Sequence, residues 1–171
     1  MSENKLKKIK LLLLDVDGVL TDGSIIYTDS GEEIKQFDVK DGLGIRLLIE
    51  AGIKVAIISG RSSQALAKRC NNLGIKYLFD GRRNKAESFG QILKQVKVLP
   101  EEIAFICDDL PDMSLMKKVG LSIAVSDACD TIINKADMIT KAKGGKGAVR
   151  EVCDSILKAQ GHWQNIIEHF P

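Results

Sequence analysis

Residues 11–23 read LLLLDVDGVLTDG. Four consecutive leucines, Leu11 to Leu14, run into Asp15 and Asp17, with Gly18 and Gly23 just behind them. A strand that is apolar in both side-chain directions belongs inside a parallel sheet, covered on both faces. Such sheets bind ligands at the carboxyl ends of their strands. Ionised carboxylates there are unfavourable unless a cation or hydrogen-bond donors compensate them. The stretch therefore predicts a buried first strand whose open end holds a charged site, with Gly18 and Gly23 permitting tight turns.

Outward from that strand, the chain alternates strand and helix. SIIYTD and EEIKQFDV flank DSG and read as a hairpin over 24–38, with Gly31 in the turn. DGLGIRLLIEAG is a helix stopped by Gly52, KVAIISG a buried strand, and SSQALAKRCNNLG a helix ending at Gly74. KYLFDG is a short strand, and NKAESFGQILKQVKV an amphipathic helix weakened by Gly90. IAFICDD is a further strand, followed by PDMSLMKKVG, a helix opened by Pro111. LSIAVSD and ADMIT are short strands around ACDTIINK, and GAVREVCDSILKAQG is the last helix. This order predicts a three-layer α/β fold with a mainly parallel sheet, one domain over 1–171, from which the hairpin projects.

Composition narrows the classes. A chain of 171 residues suits one domain with a real core. With 25 basic and 23 acidic residues the net charge is +2, which does not call for nucleic acid. Lys5, Lys7, Lys8 and Lys10 read as a solvated lead-in. No apolar run approaches the ~20 residues of a membrane span. The first apolar run is short and meets an acid at once, unlike a signal peptide. Cys70, Cys107, Cys129 and Cys153 are far apart, with no CxxC pair, which fits reduced thiols and a cytoplasmic protein. The only histidines are His162 and His169, which argues against a zinc site or a Ser-His-Asp triad.

The chemistry-bearing residues gather at strand ends. The first strand ends in Asp15 and Asp17, the next in Ser59, Gly60 and Arg61, and IAFICDD in Asp108 and Asp109, with Asp112 a turn later. Lys85 opens a helix. Taken singly, Asp15 or Asp112 reads as a cap or turn residue, Ser59-Gly60 as an ordinary turn, and Lys85 as a solvated lysine. Strand ends of a parallel sheet converge on one edge, however, so these groups can share one pocket. Several carboxylates together call for a hard cation, and oxygen donors favour Mg²⁺. Lysine, arginine and a hydroxyl-glycine turn beside them suit a phosphate. The set points to phosphoryl transfer.

These residues carry a resemblance. DVDGVLTDG resembles the first motif, DxDxx[TV], of the haloacid dehalogenase superfamily; IISG is similar to its second, Lys85 stands where the third has lysine, and CDDLPDMSLM resembles the fourth, GDDxxD. The four come in the family's order across most of the chain. The resemblance implies a Rossmann-like fold with Asp15 as nucleophile and metal ligand. Asp17 would be the acid and base, with its carbonyl also on the metal. Ser59 would bind a phosphoryl oxygen and Lys85 neutralise charge. Asp108 would ligate Mg²⁺, and Asp112 would hold Lys85 or a metal-bound water; Asp109 is less defined. Cys107 replaces the family's glycine and is expected to point into the core.

Residues 18–38 between the first motif and the first helix form only the hairpin, so no cap domain is expected. Within the superfamily the chain is similar to the 3-deoxy-D-manno-octulosonate 8-phosphate (KDO 8-phosphate) phosphatase family. Stretches that carry this are GEEIKQFDVKDGLGIRLL, ISGR, NKAE, DDLPDMSLMKKVGLSIAVSDA and GGKGAVREVCDSILKAQG. That resemblance implies a homotetramer with hairpins in a central barrel, and a product used for lipopolysaccharide. It also implies substrate contacts from Asp17, Asp38, Val39, Lys40, Asp41, Gly42, Arg46, Ser59, Gly60, Arg61, Arg69 and Lys85. Arginine suits a sugar acid's carboxylate and phosphate by its bidentate geometry. GGKGAVRE reads either as a flexible lid or as a plain helix start. The tail over 162–171, with Trp163, Ile166, Ile167 and Phe170, departs from the family pattern and reads equally as docking on a neighbour or as disordered. Two alternatives remain: a phosphatase for a nine-carbon 9-phosphate, and a non-enzymatic phospho-receiver module. Receivers carry the phosphorylated Asp on a middle strand, whereas here it follows the first.

Overall fold

The computed structural model describes residues 2–82 and 84–169. Its centre is β1 (Leu11–Leu14), whose four leucines are fully buried. Both side-chain directions of β1 are thus covered, as expected of a central parallel strand. On one side β1 pairs in parallel with β4 (Lys54–Ile58), which pairs with β5 (Tyr77–Phe79). On the other it pairs with β6 (Ile103–Cys107), then β7 (Leu121–Ala124) and β8 (Met138–Ile139). The order β5-β4-β1-β6-β7-β8 is parallel throughout. The chain leaves β1 toward β4 and β5, then returns to β6 on β1's other side. The crevice between the ends of β1 and β6 is therefore the switch point where doubly wound sheets bind ligands.

The hairpin forms a separate two-stranded ribbon, β2 (Ile26–Tyr27) and β3 (Glu33–Ile34), antiparallel, with Ile26 opposite Ile34 and Tyr27 opposite Glu33. Each strand is shorter than its apolar pattern implies. The turn closes through Gly31 N–H to Thr28 O at 2.9 Å.

Helices cover the sheet: α1 (Ser2–Leu6), α2 (Val39–Glu50), α3 (Gln64–Leu73), α4 (Lys85–Val96), α5 (Met113–Met116), α6 (Asp130–Ile133), α7 (Ala148–Ala159) and α8 (Trp163–Glu168). α2 packs on α7 and α3, and α4 on α5. Three sequence expectations change. The lysine-rich lead-in is not simply solvated: Leu6 and Ile9 are buried, and Lys5 pairs with Asp137 at 2.6 Å. PDMSLMKKVG is not one helix but a 3-10 turn, Leu110–Asp112, and a single helical turn. Lys118 N–H already bonds back to Leu115 O, and Gly120 N–H is bound by Pro100 O, which delivers the chain to β7. The tail forms α8 on its own subunit, where Trp163 and Ile166 pack on the core and Lys158 Nζ lies 4.6 Å from the Trp163 ring centre. Phe170, named with them in the sequence, lies outside the described residues.

Candidate active site

The backbone past β1 stays in register for one more residue, with Asp15 N–H bonded to Ile106 O at 3.1 Å. This brings Asp15 beside Asp108, which follows β6. The loop then turns at Gly18, whose φ is +84°. A Cβ there would overlap the Asp108 carboxylate, so only glycine lets the two chain ends approach. From the far side, residue 144 lies so close that a Cβ on Gly144 would strike Gly18 O. The GGKG stretch is thus a packed strap across the loop: Gly145 N–H donates to Val19 O, and Gly144 N–H to Asp127 Oδ1, each at 2.9 Å.

Lys85, the first residue of α4, is buried and reaches Asp15 Oδ2 at 2.7 Å and Asp112 Oδ1 at 2.5 Å. Asp112 is itself buried, and its other oxygen accepts from Asp108 N–H at 3.3 Å. Carboxylate oxygens of Asp15, Asp108 and Asp112 lie within 4.8 Å of one another. Lys85 thus pairs with two of these three carboxylates. Burial, with the nearby Asp112 charge, pushes Asp15 up to about 7 despite Lys85. Burial, then Asp15 and Asp112, pushes Asp108 up to about 8. Burial by itself lowers a lysine's pKa, but the Asp15 and Asp112 carboxylates outweigh it and raise Lys85. This surplus of partly desolvated negative charge, all oxygen donors, fits a hard divalent cation.

These groups open into a cleft of about 470 Å³ lined by Asp15, Asp17, Gly23, Ser59, Gly60, Arg61, Lys85, Asp108, Asp109 and Pro111. The first, second, third and fourth motifs therefore meet in one place. Ser59 is buried at the end of β4, where its Oγ accepts from Arg61 N–H at 3.1 Å. Asp109 starts the 3-10 turn, its carboxylate accepting from Leu110 N–H at 2.8 Å. Cys107 points into the core, its Sγ 3.4 Å from Ile123 O, and burial raises its thiol far above the ordinary range.

The other expected ligand contacts lie elsewhere. Asp38 caps α2, accepting from Lys40 N–H at 2.6 Å and Asp41 N–H at 3.1 Å. Val39, Lys40, Gly42, Arg46 and Arg69 line a second depression of about 410 Å³. Arg69 donates to Asp38 O at 3.0 Å, in space that a side chain at Gly42 would fill. Asp41 joins neither set. It is 1% exposed, and its Oδ1 accepts from Arg150 N–H at 2.7 Å, tying α2 to the start of α7. It is held as an internal cap, out of reach of a ligand on this chain, and burial raises it to about 6.

Sequence reasoning passed over Lys35 and Glu33 on the hairpin. Lys35 Nζ meets Asp17 Oδ1 at 2.5 Å and Glu33 Oε1 at 2.8 Å. Glu33 Oε2 in turn meets Arg61 at 2.5 Å. The only available signal was alternation: Glu33 and Lys35 share one face of the ribbon, and Ile34 the other.

Comparison with known proteins agrees with this geometry. Residues 78–152 match the model of the haloacid dehalogenase-like hydrolase family. The chain is 50% identical over 157 residues to the 3-deoxy-D-manno-octulosonate 8-phosphate phosphatase KdsC of Escherichia coli K12, covering 92% of this chain and 84% of that one. A Yersinia pestis phosphatase of the same name superposes with a TM-score of 0.93 at 47% identity, over 95% of this chain and 88% of the other. The Moraxella catarrhalis enzyme, solved with magnesium, phosphate and KDO, gives 0.96 at 42% identity, over 99% and 97%.

Proposed function

The chain belongs to the haloacid dehalogenase-like hydrolases, and on that premise we propose that it is a magnesium-dependent phosphatase that converts KDO 8-phosphate to KDO and inorganic phosphate. The observation that carries this reading is the buried Lys85 bridging Asp15 and Asp112 beside Asp108, open to a cleft with Ser59 and Arg61. Half-identity to KdsC, and a magnesium-, phosphate- and KDO-bound structural relative, support the substrate.

In this reading Asp15 attacks phosphorus while the ester P–O bond breaks, giving an aspartyl-phosphate. Asp17 gives its proton to the departing alkoxide. It then takes a proton from water, which attacks phosphorus and frees Asp15 and phosphate. Lys85 holds Asp15 in line and offsets the charge gathering on the phosphoryl group. Ser59 and the turn at Gly60 cradle a phosphoryl oxygen. Asp15, Asp108 and the carbonyl of Asp17 would hold Mg²⁺, which would add to the neutralisation of phosphoryl charge. Asp112 keeps Lys85 in place.

We also assign a homotetramer. Ile25, Ile26, Tyr27 and Ile34 of the hairpin are exposed, an apolar ribbon with little cover on its own subunit. The depression with Arg46 and Arg69 lies outside the carboxylate cleft of its own chain, so in this reading it serves the cleft of a neighbouring copy. Four free thiols support a cytoplasmic location, and the likeness to KDO 8-phosphate phosphatases supports a role in lipopolysaccharide precursor synthesis.

The test is phosphate release from a panel of sugar-acid phosphates with Mg²⁺. The reading requires the highest kcat/KM for KDO 8-phosphate. A preference for a nine-carbon 9-phosphate would move the substrate while keeping the mechanism, and no release from any ester would remove both.

A further inference from the structure

The mechanism leaves Lys35, the cation that touches Asp17, without a task. Lys35 follows β3 on the hairpin, and its side chain is only 5% exposed. Lysines are rarely buried unless paired. This one is paired twice, with Asp17 at 2.5 Å and Glu33 at 2.8 Å. Lys85 is already committed to Asp15 and Asp112. Lys35 is therefore the cation given to Asp17. Among the described residues no other N–H or side chain donates to the Asp17 carboxylate.

The hairpin register sets this up. Tyr27 stands opposite Glu33, and Ile26 opposite Ile34. Alternation therefore puts Tyr27, Glu33 and Lys35 on one face, and Ile26 and Ile34 on the other. The first face turns to the cleft, where Arg61 donates to Glu33 at 2.5 Å and to the Tyr27 hydroxyl at 3.4 Å. Charges thus run Asp17, Lys35, Glu33, Arg61, from the loop after β1 to the turn after β4. A slip of one residue would swing Lys35 to the apolar face.

We propose that Lys35 is a positioning residue for Asp17, its ammonium fixing the direction of that carboxylate so that proton transfer reaches the leaving oxygen. The inference rests on the reading of Asp17 as acid and base. A carboxylate anchored at one point is free to swing when that anchor goes, and a misplacement of about 1 Å can lower a rate ~100-fold. Glu33 shares the ammonium, so Lys35 remains paired while Asp17 carries its proton. The hairpin is then part of the catalytic apparatus as well as an assembly surface.

The test uses full-length enzyme with Mg²⁺ and measures the single-turnover rate of aspartyl-phosphate formation from two small esters, so that neither depends on a neighbouring copy. Propyl phosphate expels an alkoxide that needs a proton; p-nitrophenyl phosphate expels a phenolate that does not. Lys35→Met should lower the alkyl-to-aryl rate ratio about 10-fold, in the same direction as Asp17→Asn, with general-acid contributions typically ~100-fold or more. Lys35→Arg should recover most of the ratio. If Lys35→Met fails to fold, Lys35→Gln is read in the same way. An equal fall with both esters, or no fall with either, overturns the proposal and leaves Lys35 a binding or structural residue. If Asp17→Asn itself leaves the ratio at the wild-type value, the acid role of Asp17 has failed, and that outcome is distinct from a failure at Lys35.

Discussion

Lys85 Nζ lies 2.7 Å from Oδ2 of Asp15, with the two side chains 4% and 13% exposed. A buried pair of this kind is weak evidence for stability, because desolvation offsets much of the attraction. Its value here is placement: the lysine fixes the carboxylate that faces the cleft.

Removing that lysine leaves Asp15 and Asp112 without their cation. Lys85→Met should lower the unfolding free energy of metal-free protein by about 3–5 kcal/mol and reduce turnover at least ~100-fold. Adding Asp112→Asn to Lys85→Met should restore part of the stability and none of the activity. Urea unfolding with parallel assays decides this; a metal-free variant as stable as wild type would mean that the three groups are not coupled.

The uncompensated carboxylates also predict how metal and pH interact. EDTA should abolish phosphate release and added Mg²⁺ restore it. Asp15 is raised to about 7 and Asp108 to about 8, against about 3.9 in an unfolded chain. A raised carboxyl pKa means that the folded state holds protons the unfolded state has released. Metal-free protein should therefore lose stability as pH rises from about 4 to about 8, with no further loss from these groups above that. Mg²⁺ competes with those protons, so its affinity should rise over the same window. Thermal melts with EDTA and Mg²⁺ titrations at several pH values check both; a Kd for Mg²⁺ independent of pH would contradict the assignment.

The two aspartates of the first motif should fail differently. Asp15→Asn removes the nucleophile and should lose at least ~1000-fold in kcat with no phospho-enzyme formed. Asp17→Asn keeps the nucleophile but loses the acid and base, so phospho-enzyme formed from an activated aryl ester should hydrolyse slowly. Acid-quench trapping separates them. Near-normal turnover by Asp15→Asn would refute the nucleophile.

Ile26 is 43% exposed on the outward face of the ribbon. Ile26→Glu should dissociate the assembly, whose mass by light scattering should otherwise be about four times the 18.7 kDa of one chain. Turnover of KDO 8-phosphate should fall more than that of a small aryl ester, since the larger substrate draws on the neighbour. A monomer with unchanged preference would show that the hairpin plays no part in closing the cleft.

Much of this site was legible in the linear order of residues, for a geometric reason. An apolar run covered on both faces must be central and parallel. Parallel strands bring their carboxyl ends to one edge, so Asp15, Ser59 and Asp108 had to approach one another whatever the loops did. Cys107 meets the core for the same reason: β6 is buried at every position, so either side-chain direction is covered.

Whatever depends on side-chain direction across different elements was not legible. Asp41 sits next to the expected ligand segment, yet it faces α7 and caps Arg150 N–H. Arg46 and Arg69 gather beside α2 and α3 rather than in the carboxylate cleft. Lys35 meets Asp17 only because a short ribbon folds back with one particular register. By itself the sequence determined a mainly parallel sheet and the polar groups that gather at three strand ends and at one helix start, because periodicity and chain order are local and additive. Only the tertiary structure decided which ammonium serves which carboxylate, because ion pairs between elements depend on turn geometry and burial, to which residues far apart in the chain contribute together.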